Sequence, residues 1–115
     1  MSNTTEEFVG VDEIDTLVGR ANQALREYDA LDQEMVDHIV KKASVAALNQ
    51  HGQLAQMAVD ETGRGIFEDK ATKNIFACEH VTNSMVNTKT VGIINRDDLT
   101  GITEIAEPVG VVAGI

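Results

Sequence analysis

At 115 residues the chain has the length of one domain or a piece of one, and its 43% hydrophobic content excludes wholesale disorder. Nine basic against nineteen acidic residues give a net charge of −10, which excludes a nucleic-acid role, because a phosphate backbone needs a basic face. The single cysteine, Cys78, excludes an internal disulfide and fits a reducing cytoplasm, and no apolar run approaches the roughly 18 to 20 residues of a membrane span.

The N-terminus is polar and acidic, without the basic and apolar regions of a signal peptide, so a cytoplasmic protein is expected. Residues 1–10 are expected to fray. Val11, Ile14, Leu17, Val18, Ala21, Leu25 and Tyr28 then recur at helical spacing, and Asp12, Glu13 and Asp15 suit the positive end of the helix dipole, which predicts a helix over residues 11–29. Asp32 has the chemistry of an N-cap for a second helix. Val36, Ile39, Val40, Ala43, Ala46 and Ala47 form its apolar face, and His51-Gly52 is expected to close it. A third helix carries Leu54, Met57, Ala58 and Glu61 and stops at Gly63. A fourth, over residues 68–86, has the stripe Ala71, Ile75, Cys78, Thr82 and Met85.

After Lys89 the period changes. Residues 90–95 read as a strand, Asp97-Asp98-Leu99-Thr100-Gly101 has turn chemistry, and residues 102–107 alternate apolar with polar as the antiparallel partner. One face of this hairpin is expected to be apolar, with Val91, Ile93 and Ile102 as candidates. Residues 109–115 contain no polar side chain, the pattern of a strand buried on both faces. Pro108 can start such a strand without removing an interior ladder bond. A strand that wants cover on two sides reads as the front part of a larger protein. Helices, a hairpin and a buried strand give an α/β order.

Glu107-Pro108-Val109-Gly110-Val111-Val112-Ala113-Gly114-Ile115 resembles the segment that opens the cofactor-binding sheet of aldehyde dehydrogenases. Asp60-Glu61-Thr62-Gly63-Arg64-Gly65, followed by Glu68-Asp69-Lys70 and Lys73-Asn74, narrows the resemblance to the CoA-acylating half of the bifunctional aldehyde–alcohol dehydrogenases. The resemblance implies the truncated front of an aldehyde-dehydrogenase fold. Residues 11–89 would be the helical N-terminal part of the cofactor-binding domain. Residues 90–107 would be the β-hairpin of an oligomerisation arm, making a homo-oligomer. Residues 108–115 would be the first strand of the cofactor-binding sheet. It also implies NAD as cofactor, with Gly114 and Ile115 near it, since ligands bind outside the carboxyl ends of strands in open α/β sheets. The implied activity of the parent protein is fermentative reduction of acetyl-CoA to acetaldehyde, on acyl-CoA and aldehyde substrates. Two other readings stand beside it. One is a hydrolytic NAD(P)-dependent aldehyde dehydrogenase. The other is a helical interaction module whose last strand is completed by a partner chain.

The remaining candidates for chemistry are weaker than their structural readings. Cys78 lies mid-helix on an apolar stripe, where a thiol acts as a small hydrophobe, and the resemblance implies a catalytic cysteine further along the parent chain. The sequence therefore assigns no catalytic residue within these 115 positions. Glu34 with His38, His51, and Glu79 with His80 lack the spacing of a metal site, so no metal is expected. Gly63-Arg64-Gly65 follows a helix, whereas a dinucleotide fingerprint follows a strand, so it reads as a helix stop. Glu104 and Glu107 are three apart on an extended segment and point to opposite faces, so they form no acid–base pair.

Overall fold

The computed structural model describes residues 4–114, with side chains from residue 10 onward. The chain divides into two compact units: residues up to Leu31 together with those from Thr90 onward, and residues Asp32–Lys89.

The second unit is a set of packed helices. Its first helix, α2 (Gln33–Asn49), starts where the Asp32 carboxylate accepts the Met35 backbone N–H at 2.9 Å, the N-cap expected from the sequence. α2 closes at Gln50, whose N–H bonds back to Ala47 and Leu48 carbonyls. The chain restarts at once as α3 (His51–Thr62), with the Leu54 N–H bonded to the Gln50 carbonyl. His51 and Gly52 therefore begin a helix rather than ending one. The corner is made by Gln50 itself, at φ −107° and ψ 8°, a conformation open to any residue. Gly63 ends α3 at φ 62°, in the left-handed region where a side chain would be strained, and its N–H reaches the Val59 carbonyl at 2.8 Å.

The fourth helical stretch begins as α4 (Phe67–Ile75), with Glu68 and Asp69 in its first turn. It then widens into a π-helical turn (Phe76–Val81) and ends as a short α5 (Thr82–Ser84). Its span matches the expected 68–86 closely, but the change of winding was not foreseen. In the wider turn the Thr82 hydroxyl donates to the carbonyl of Ala77, five residues back, at 3.3 Å. Ala71, Ile75, Cys78 and Thr82 are half-buried, as the stripe requires, while Met85 stays exposed. α3 packs against α4, and α2 packs against α4, the π turn and α5.

Among the described residues only Val36 of α2 and Ala55 of α3 are buried. The inward side of α2 is narrower than its apolar pattern suggests: Ser44, Ala47 and Leu48 are half-buried, whereas Ala43 and Ala46 are exposed. A helix buries only the stripe that its neighbours cover.

The first unit contains α1 (Thr4–Tyr28) and the hairpin. α1 begins ahead of the expected residue 11. The hairpin pairs β1 (Gly92–Asp97) with β2 (Ile102–Ala106) antiparallel. Ile93 stands opposite Ile105, and Asn95 opposite Glu104, so Ile94 is an extra residue in β1, a β-bulge. This corrects the expected apolar face. Ile93 and Ile105 share one side, while Ile102, three residues before Ile105 and opposite Asp97, lies on the other. A one-residue slip transfers every later side chain to the opposite face, so alternation alone could not locate the apolar side.

The loop after β1 is built by Asp97. Its carboxylate accepts the Leu99 N–H at 2.9 Å, the Thr100 N–H at 3.3 Å and the Thr100 hydroxyl at 2.7 Å. Gly101, at φ 71°, then donates its N–H to the Asp97 carbonyl at 2.9 Å.

Candidate functional site

The residues singled out for cofactor binding lie at the end of the chain. Ile115 is outside the described residues. Gly114 is described and exposed, and a Cβ placed on it would meet no atom within 4 Å. The backbone there is open to close approach. Residues 108–115 are expected to form a buried strand; those of them that are described, 108–114, carry no strand pairing among the described residues. Val109 is 92% exposed and Val112 72%. Gly110 adopts φ 101°, which turns the segment away from regular extended geometry. The physical reason is plain: a strand is held by its ladder, and an apolar sequence without a neighbour has nothing to bond to.

Cys78 sits half-buried in the π turn, in the part of the fourth helix that packs on α2. Phe76 and His80, on the same turn, bring their rings to a 5.8 Å centroid separation at 31°. His38 and Glu34 are both exposed on α2. His51 is half-buried at the α2–α3 corner, where its Nδ1 lies 2.7 Å from the Leu48 carbonyl. A carbonyl only accepts, so Nδ1 carries the proton and serves as a helix-end donor rather than as a ligand. Among the described residues no group of three or more His, Cys, Asp or Glu side chains converges to hold a metal.

At the α3–α4 connection, Gly63 and Gly65 have φ of 62° and 74°, and the Arg64 N–H donates to the Thr62 hydroxyl at 3.2 Å. The Lys70 stem folds over Gly65, where a Cβ would meet Lys70 Cε at 3.1 Å. The break is a helix stop followed by a tight approach of chain to side chain. An open depression along α1 is lined by Asp12, Glu13, Thr16, Leu17 and Arg20, all from that one helix.

Among the described residues one titrating group is distinctly perturbed. The Asp97 carboxyl is held below its ordinary value of 3.8, first by the Thr100 hydroxyl and then by the Leu99 and Thr100 N–H groups. Its donors are all in its own loop, so the perturbation orders a turn.

Sequence reasoning missed Asn74. Its side-chain N–H donates to the His51 carbonyl at 3.0 Å, across 23 residues, and ties α4 to the α2–α3 corner. A signal was present: Asn74 falls three residues after Ala71 and four before Cys78, on the half-buried side of the helix. A polar side chain at such a position needs a partner.

Taken together, these positions hold helices and a hairpin in place but bring no nucleophile, base and acceptor together. No protein-family model matches the chain. It is 66% identical over 115 residues to aldehyde-alcohol dehydrogenase 2 of Entamoeba histolytica, covering 97% of this chain and 13% of that protein. It is 64% identical over 110 residues to the aldehyde-alcohol dehydrogenase of Streptococcus pneumoniae serotype 4, covering 96% of this chain and 12% of that protein. Among solved structures it resembles an acetylating aldehyde dehydrogenase from Geobacillus thermoglucosidasius, with a TM-score of 0.83 and 40% identity over 94% of this chain and 24% of that one. The chain thus spans about an eighth of the length of the curated relatives it matches.

Proposed function

We propose that this chain corresponds to the N-terminal part of a bifunctional aldehyde–alcohol dehydrogenase, and that the whole protein is an NAD-dependent, CoA-acylating aldehyde dehydrogenase. The reaction would take acetyl-CoA, NADH and a proton to acetaldehyde, CoA and NAD⁺. The observation that carries this reading is the 66% identity maintained over nearly the entire chain, together with the matching backbone of an acetylating enzyme.

Within that protein the 115 residues have a supporting role. The nicotinamide supplies the hydride when it is bound. Residues 108–115 would enter the cofactor-binding sheet, with Gly114 and Ile115 at the carboxyl end where a dinucleotide approaches. The open backbone at Gly114 supports this placement. The hairpin would pair subunits of a homo-oligomer. Exposure of Ile93 and Ile105 side by side on one face supports that role, since such a pair gains from being covered. Cys78 would not be the nucleophile, because it packs within a helical layer instead of facing an open, positively charged cleft. No helix among the described residues is long and apolar enough to cross a membrane. We place the enzyme in the cytoplasm on the strength of its proposed metabolic substrates; the lone cysteine of these 115 residues is compatible with a reducing compartment.

The test is made on the whole protein. NADH absorbance is followed with and without acetyl-CoA, in the wild type and in Cys78→Ala. Acetyl-CoA-dependent oxidation of NADH that survives Cys78→Ala is the expected result. No such oxidation in the wild type would remove the proposed activity. Turnover abolished in a correctly folded Cys78→Ala protein would move the nucleophile into this chain.

A further inference from the structure

We draw no further inference here: the strongest candidate, the exposed apolar face that Val11, Ile14, Leu17 and Val18 form along α1, carries nothing because nothing in the structure shows what covers it.

Discussion

Two small residues on one side of α3 should respond to enlargement in opposite directions. Gly52 and Ala55 are three apart on that helix, and α3 packs against α4. Ala55 is fully buried, at 0% exposure, so its methyl already meets neighbours on every side. Gly52 is half-buried, and a Cβ built on it would lie 3.9 Å from Cζ of Phe67, an ordinary van der Waals contact. Gly52 is also absent from the glycines with positive φ, so alanine can adopt its conformation. Gly52→Ala removes backbone freedom from the unfolded chain and adds a contact, which should stabilise α3 by about 0.4–1 kcal/mol. Ala55→Leu forces extra carbons into a filled site and should cost about 1–3 kcal/mol.

Native-state hydrogen exchange of the α3 amides reads these changes locally, without assuming that the whole chain unfolds in one step. With a tenfold change for each 1.4 kcal/mol, Gly52→Ala should slow exchange about two- to fivefold. Ala55→Leu should speed it by about fivefold or more. Exchange slowed by both substitutions would mean that Ala55 borders free volume. Exchange speeded by both would mean that α4 approaches Gly52 more closely than 3.9 Å implies, and the account of this interface would be wrong.

Three further outcomes follow from the site and the hairpin. Asp97 has a lowered folded-state pKa, so its stabilisation of the loop is fully present above the unfolded value of about 3.9 and is lost as pH falls through the lower, folded value. The Leu99 and Thr100 amide resonances should therefore shift with a midpoint below pH 3.8, and a midpoint at or above that value would show that the carboxylate is not so bonded. Cys78 should react more slowly with a thiol reagent in the native protein than in denaturant, because it is half-buried in a packed turn; equal rates would place it in open solvent. Ile93→Asp in the whole protein should lower the molar mass seen by light scattering, whereas Ile102→Asp, on the opposite face, should lower it less. Equal loss from both would contradict a one-faced interface.

What could be read from the sequence alone was held by contacts within about five residues. Asp32 caps α2 through Met35, Gly63 stops α3 through Val59, and Asp97 organises its own loop through Leu99, Thr100 and Gly101. Each needs only a short stretch of chain and one residue with the right donor, acceptor or freedom in φ, so residue type at that position is enough. The half-buried stripe Ala71, Ile75, Cys78 and Thr82 was legible for the same reason, because helical period is a local property. The resemblance to aldehyde dehydrogenases was likewise legible, from the Glu61–Gly65 and Glu107–Ile115 motifs.

Tertiary structure decided whatever depended on a second element. The bulge at Ile94 is defined by what stands opposite it in β2, and it determines which isoleucines share a face. The bond from Asn74 to the His51 carbonyl joins residues far apart in sequence, and the burial of Ala55 depends on the approach of another helix. At the candidate cofactor edge the division is sharpest. The run from Val109 onward is apolar enough for a buried strand, yet an apolar composition specifies only a tendency to be covered. A strand is a set of hydrogen bonds between two backbones, and its faces are buried by what packs on them, so both follow from the partner and not from the segment.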